Sequence, residues 1–518
     1  MGTPFKCLLG LALLASPLAQ AATDACAALT KFRMPDMAVT IDKAVVVPTG
    51  IPAPVPFMPP FQVAVPAYCR ADGAIDSRTG RDGKAYAIKF ALALPEKWNG
   101  RFLFQGGGGL NGSVSPPLGF QSTGDTPALA RGFAVVSTDT GHQSGMPFDA
   151  SFFADQEATL NFLYQAIGKV TVVAKQIVAQ YYKRPAEHSY YVGCSTGGRE
   201  AMIMSQRYPN FFDGIVAGSP AMRTGYSNLG DKWVSAAINR AAPKDEAGKP
   251  LGARAFPDSD KKLVVDAILK ACDAQDGVQD GMVQNPKACT FDPAVLTCSG
   301  AKQDSCLTAE QVAALKKGFA GPKDSSGRQV YPGFFFDTGI AANSTGGIPG
   351  LLTGSAGPLG GPPVMEINVD QEAVTLAGNP QNVGDTYSWT NLNAFSGRGG
   401  KLMFFHGVSD PWFSAMDTLQ YYERMAAANG GAQQVSQWSR LFLVPGMGHC
   451  SGGAATLDQF NMLDAAVNWV EKGTAPDAVI ATGKAFPGRS RPLCPYPKHA
   501  HYKGSGNTEL AENFECRE

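Results

Sequence analysis

The sequence carries no excess charge of either sign. Lys and Arg number 44 and Asp and Glu number 44, so the formal balance is zero. A chain without a basic surplus has no electrostatic pull toward nucleic acid or an anionic membrane, and neither is expected as a partner. Long apolar runs are also missing. The apolar run over 7–17 is too short to span a bilayer, and no longer one follows it. Histidine is scarce, six in 518 residues, so a catalytic base has few candidates. Charged residues make up only 17% against 44% hydrophobic, which excludes a disordered chain and leaves a globular one with room for more than one domain.

Cysteine, by contrast, is present eleven times. The N-terminus reads "MGTPFKCLLGLALLASPLAQA". A weak positive start at Lys6, an apolar run and the A-x-A site Ala19-Gln20-Ala21 arrive in the order of a cleavable signal peptide. Residues 1–21 are therefore expected to be removed, with the mature chain starting near Ala22 in a secreted or periplasmic protein. Removal takes Cys7 and leaves an even set, which in an exported chain reads as disulfides.

Strand-like and helical patterns alternate through the first part of the chain. "YAIKFALALP", "RFLFQ", "GFAVVSTDTGH", "SYYVG" and "FDGIVAGSP" read as strands. Residues 155–183 carry apolar residues at helical spacing, and "GREAMIMSQRYP" reads as a helix stopped by Pro209. The alternation predicts an α/β fold, a parallel sheet with helices on both faces. After Pro220 the texture changes to Gly, Pro and Cys with little strand alternation, including the loop-like stretch 343–363. Alternation resumes at "KLMFFHG" (401–407) and "RLFLVPGMGH" (440–449). The expected organisation is a core of 22–220 and 396–518, interrupted by an insertion over 221–395 at the sheet's C-terminal edge, where ligands bind in such folds.

The chemistry is carried by "YVGCSTGGRE". Its Gly193-Cys194-Ser195-Thr196-Gly197 is a G-x-S-x-G between a strand and a helix, the nucleophile elbow, whose sharp turn needs small flanking residues and exposes the serine hydroxyl. The motif alone is weak, and its strand-then-helix context gives it weight. A serine needs a base and the base an orienting acid, in chain order Ser, acid, His. His449 follows a strand in "PGMGHC", and Asp410 follows a strand in "HGVSDPWF". The predicted triad is Ser195, Asp410 and His449. Cys194 precedes the serine and Cys450 follows the histidine, so one disulfide between them would tie the elbow to the histidine loop. For the oxyanion hole, the backbone N–H of Thr196 is one donor; Gly109, then Gly108, in "QGGGGLNG" are candidates for the other.

A second candidate site is "CDAQDGVQDGM". Asp273, Asp276 and Asp280 fall close together, and a hard cation such as calcium would relieve their repulsion. The spacing excludes an EF-hand, and a solvated acidic turn is the alternative reading.

Together, "GCSTGGRE", "HGVSDPWFS", "PGMGHCSGG", "CDAQDGVQDGMVQNP", "WNGRFLFQGGGG" and "RPLCPYP" resemble the tannase and feruloyl esterase family, from about Cys26 to Cys516. A bacterial branch, the mono(2-hydroxyethyl) terephthalate hydrolases, is similar too. The resemblance implies an α/β-hydrolase fold with a large lid over 221–395, Ser195, Asp410 and His449 as triad, and structural Ca2+ in the lid. It implies calcium ligands at the Asp273, Asp276 and Asp280 side chains and the Val278 and Met282 carbonyls. It further implies the pairs Cys26–Cys69, Cys272–Cys289, Cys298–Cys306 and Cys494–Cys516 beside Cys194–Cys450. The Gly-rich stretch 337–395 has no match to the substrate-binding Trp and Arg of the terephthalate branch, which puts phenolic esters ahead. The expectation is a secreted serine esterase cleaving feruloyl or galloyl esters through an acyl-enzyme. The alternatives are a terephthalate monoesterase and, in another class, a non-catalytic calcium-dependent binding protein on a hydrolase scaffold.

Overall fold

The computed structural model describes residues 23–54, 61–342, 347–349 and 363–518. The expected signal peptide over 1–21, the start near Ala22 and most of the loop-like stretch 343–363 lie outside the described residues.

Among the described residues, nine strands form the central sheet: β1 (Val39–Val47), β2 (Tyr68–Thr79), β3 (Ala85–Pro95), β4 (Arg101–Gln105), β5 (Ala134–Thr138), β6 (His188–Cys194), β7 (Gly214–Gly218), β8 (Lys401–Gly407) and β9 (Ser439–Val444). Their order is β1-β2-β3-β5-β4-β6-β7-β8-β9. From β5 onward neighbours run parallel, as the alternation predicts. The first three strands are joined antiparallel to one another and to β5, so the sheet is mixed. That half was missed in β1 and β2, whose residues carry no long apolar run. β1 alternates buried and exposed positions only at its start.

The parallel strands are apolar on both faces because both faces are covered. In β8, Leu402 and Phe404 join one core while Met403 and Phe405 join the other. The first core packs the helix Ala166–Tyr182, whose Ile167, Val170, Ala174 and Ile177 recur at helical spacing, and the second packs the helix Met462–Lys472. Each fully buried Leu, Ile, Val, Met or Phe side chain in these cores contributes about 1.5–3 kcal/mol.

The continuous helix expected over 155–183 is interrupted. Asn161–Gln165 forms a π-turn between the helices Gln156–Leu160 and Ala166–Tyr182. There the buried Arg199 donates to the carbonyls of Leu163 at 2.9 Å and Phe162 at 3.1 Å, and its guanidinium stacks on Phe162. A widened turn that presents carbonyls sideways suits that contact.

Among the described residues, no strand of this sheet lies between β7 and β8. The intervening segment contributes the helices Thr224–Ala241, Asp258–Cys272 and Ala309–Phe319 around an apolar cluster of their own. No helix among the described residues is long and apolar enough to cross a membrane.

Candidate active site

Parallel pairing puts the loops after β4, β6, β8 and β9 at one edge of the sheet. Cys194 ends β6 opposite Gly218, and Gly407 ends β8 opposite Val444. Residues far apart in sequence meet there.

Ser195 sits between β6 and the helix Thr196–Arg207 with φ 65° and ψ −123°, a strained conformation for a non-glycine residue and the signature of the elbow. A Cβ on Gly193 would lie 2.4 Å from the Gly197 carbonyl oxygen, so the turn tolerates no side chain there. The Ser195 N–H is held by Gly218 O at 3.0 Å.

His449 Nδ1 donates to Asp410 Oδ2 at 2.7 Å, and among the described residues Nε2 is buried with no partner, while the residue lines the cleft described below. The other Asp410 oxygen accepts the backbone N–H groups of Trp412 at 2.9 Å and Phe413 at 3.1 Å. A second histidine, His406, brings Nε2 to 3.4 Å from Asp410 Oδ2, while its Nδ1 meets Thr418 Oγ1 at 2.8 Å. Burial alone would raise the Asp410 carboxyl, but His449 and His406 outweigh it and hold it well below the usual carboxylate range. Trp412 and Phe413 flank the His449 ring at centroid distances of 4.7 and 5.2 Å.

Cys194 and Cys450 are joined, with Cα atoms 6.0 Å apart across 256 residues of sequence. The pairs Cys26–Cys69, Cys272–Cys289, Cys298–Cys306 and Cys494–Cys516 are joined as well.

The glycine loop after β4 lies against the elbow. Gly197 N–H donates to Gly107 O at 3.1 Å, and the Thr196 hydroxyl donates to Gly109 O. Among the described residues, the N–H groups of Gly108, Gly109 and Thr196 meet no acceptor, whereas Gly106 N–H donates to Val192 O and Gly107 N–H to Glu200. Gly109 has φ +58°, and a Cβ there would strike Pro147 O at 2.6 Å, so glycine is required.

Sequence reasoning missed Glu200. Fully buried one helical turn beyond the elbow, its carboxylate accepts Gly107 N–H at 3.1 Å, Asn111 Nδ2–H at 2.7 Å and the Tyr191 hydroxyl at 2.7 Å. It also missed Asp337, whose buried Oδ2 accepts Ser409 Oγ–H and Gly446 N–H, each at 2.7 Å, strapping the segment between β7 and β8 to the loops that carry Asp410 and His449.

A cleft of about 1790 Å³ opens over Ser195 and His449. Leu110, Phe153, Phe162 and Leu163 form part of its apolar lining, and Thr224, Asn228 and Asp231 part of its polar lining.

The aspartate cluster lies elsewhere. Asp273 and Asp276 form a short 3-10 turn closed by Gly277. Asp273 accepts the N–H groups of Asp280 at 3.1 Å and Gly281 at 3.0 Å, and Arg491 bonds Asp280 Oδ2. Among the described residues, no three His, Cys, Asp or Glu side chains are arranged to hold a metal by themselves. Yet Asp276 Oδ2 and Asp280 Oδ1 are buried without partners, and burial, with Asp280 beside it, pushes the Asp276 carboxyl up to about 7. Orphaned carboxylate oxygens of this kind fit a hard cation that backbone carbonyls help to hold.

A mostly parallel sheet, an elbow serine and an acid–histidine pair at its C-terminal edge define an α/β-hydrolase. Residues 69–354 and 368–517 match the tannase and feruloyl esterase family. The chain is 40% identical to the mono(2-hydroxyethyl) terephthalate hydrolase of Piscinibacter sakaiensis, over 88% of this chain and 85% of that protein. It is 32% identical to a probable feruloyl esterase of Arthroderma benhamiae, over 82% of this chain and 81% of that protein. The solved structure of feruloyl esterase B from Aspergillus oryzae superposes with a TM-score of 0.77 at 25% identity, covering 96% of this chain and all of that one. The chain belongs to the tannase and feruloyl esterase family, and its activity is carboxylic-ester hydrolysis.

Proposed function

We propose that the chain is an exported serine esterase for esters of aromatic acids, feruloyl and galloyl esters foremost, working through an acyl-enzyme. The observation that carries this reading is the strained Ser195 elbow tied by Cys194–Cys450 to a histidine already oriented by Asp410. Ser195 Oγ attacks the ester carbonyl carbon while His449 Nε2 takes its proton. The carbonyl oxygen, now an anion, is met by the N–H groups of Thr196 and of Gly109 or Gly108, which have no other acceptor. The intermediate collapses as His449 protonates the leaving alcohol. Water, deprotonated by His449, then attacks the acyl-serine, and the acid leaves as Ser195 regains its proton. Asp410 keeps Nδ1 protonated and stabilises the imidazolium in both halves. Export is supported by the five disulfides among the described residues, since such bonds persist in oxidising compartments.

A second reading, hydrolysis of mono(2-hydroxyethyl) terephthalate, is favoured by the 40% identity to an enzyme of that name. Structural calcium belongs to the proposal as well. The carboxylates of Asp273, Asp276 and Asp280 and the carbonyls of Val278 and Met282 would hold it, and bound there it would neutralise buried charge away from the reacting atoms.

The test compares kcat/KM on methyl ferulate, methyl gallate and the terephthalate monoester, with Ser195→Ala as control. The expected result is highest turnover on a phenolic ester and a folded Ser195→Ala variant with almost none. Near-normal turnover by that variant sinks the nucleophile, and a preference for the monoester selects the second reading.

A further inference from the structure

One carboxyl group facing the cleft has no part in this chemistry. Asp231 lies on the helix Thr224–Ala241, lines the cleft over Ser195, and is only 2% exposed. Among the described residues, its Oδ1 is buried with no hydrogen-bond partner. Ordinarily such a group is ion-paired, because an unpaired buried carboxyl is costly. Here the neighbouring basic residues are committed elsewhere: Arg223, just before the helix, pairs with Asp417, and Lys232 on it lies 3.8 Å from Glu372.

Thr224 and Asn228 line the same cleft. Spaced i, i+4 and i+7, the three residues share one helical face. Burial, and secondarily the charge of Asp410, push the Asp231 carboxyl well above the usual carboxylate range. The protonated form is thereby favoured, and a protonated carboxyl both donates and accepts.

We propose that Asp231, with Asn228 and Thr224, is a specificity site that hydrogen-bonds a hydroxyl group of the substrate; this deepens the esterase reading above and rests on it. A neutral carboxyl, an amide and a hydroxyl each donate and accept, as a substrate hydroxyl does. A substrate carboxylate would bring a second negative charge toward Asp410. A plain hydrocarbon would leave Oδ1 unpaired, which disfavours it. The hydroxyl has two possible sources, the ring of the acid or the alcohol.

The test measures kcat/KM for two ester pairs: methyl 4-hydroxybenzoate against methyl benzoate, and 2-hydroxyethyl benzoate against ethyl benzoate. Wild type, Asp231→Leu and Asp231→Asn are compared as ratios within each pair, so that a general loss of structure cancels. Wild type is expected to prefer the hydroxylated member of at least one pair by about tenfold or more. Asp231→Leu should bring that ratio toward one, and Asp231→Asn should restore part of it. The pair that responds names the source of the hydroxyl. If Asp231→Leu does not fold, Asn228→Leu reads the same ratios. A wild type with no preference in either pair, or a preference the variants leave intact, overturns the assignment. Failure of wild type on all four esters would instead refute the esterase reading, and this inference with it.

Discussion

Glu200 shows how one side chain can order a loop it does not belong to. Its two oxygens gather three donors, and two of these, Gly107 N–H and Asn111 Nδ2–H, belong to the glycine loop. An amide in its place would offer N–H where the site already presents N–H. Glu200→Gln should therefore let the loop shift while Ser195 and His449 stay in place. The expected outcome is a fall in kcat of about tenfold to a hundredfold with KM little changed, since the loop's donors act on charge formed in the transition state. Steady-state kinetics on a folded variant check it; an equal rise in KM with kcat intact would mean that Glu200 serves substrate binding instead. Nothing in "GGRE" signals this role, because a glutamate inside a helix is ordinarily a solvated one.

The elements decide how Ser195 and His449 are kept together. β6 ends in the elbow, β9 ends before the histidine loop, and the Cys194–Cys450 bond links the residues adjoining Ser195 and His449. Replacing both cysteines by Ala should cost on the order of 2–5 kcal/mol in the chain-entropy account. Turnover should also fall at temperatures where the variant remains folded, because a displacement of about 1 Å between reacting groups can cost on the order of a hundredfold. Thermal melts and kcat measured below the transition separate the two effects; full kcat in the folded double variant would leave the disulfide a purely structural tie. The π-turn at Asn161–Gln165 belongs to the same scale. Periodicity reads residues 155–183 as one helix, because a single wide turn barely disturbs apolar spacing, and the donors that meet the carbonyls of the break, Arg199 and the Tyr208 hydroxyl, come from elsewhere in the chain.

Across the whole molecule, buried carboxyl groups set how stability responds to pH. Asp385 is pushed up to about 7 by burial, against the pull of Arg199 and Arg223, and Asp139 to about 7 by burial, against its hydrogen bonds. A raised carboxyl holds its proton longer in the folded chain than in the unfolded one. Its contribution therefore weakens stability as pH rises from about 4, the unfolded carboxylate value, to about 7. Asp410, pushed down, acts oppositely: its stabilisation is present above about 4 and is lost as acidification carries the pH down through its folded value. Melting temperature recorded against pH, in excess calcium, should fall less steeply between pH 4 and 7 for Asp385→Asn than for wild type. An unchanged slope would rule Asp385 out. In the same assay at fixed pH, added calcium should raise the melting temperature and EDTA lower it, with Asp276→Asn blunting both. No response, with no calcium by elemental analysis, would leave 273–282 an acidic turn.

Much of this protein was legible in the sequence for a physical reason: local spacing encodes it. Apolar runs buried on both faces read as parallel strands, and β4 to β9 fall where those runs lie. The elbow is readable because its geometry demands small residues beside Ser195, and the acid and histidine because each must follow a strand end in a fixed chain order. Cysteines beside Ser195 and His449 announce their own pairing. The antiparallel half of the sheet gives little such signal in β1 and β2, where burial is less regular. Long-range polar contacts give none at all. Glu200 on the glycine loop, His406 behind Asp410, Asp337 across two loops and Asp231 unpaired in the cleft each draw their meaning from partners brought close only by folding. A carboxylate has the same letter in solvent and in the core, and what it does is decided by what tertiary structure places against it.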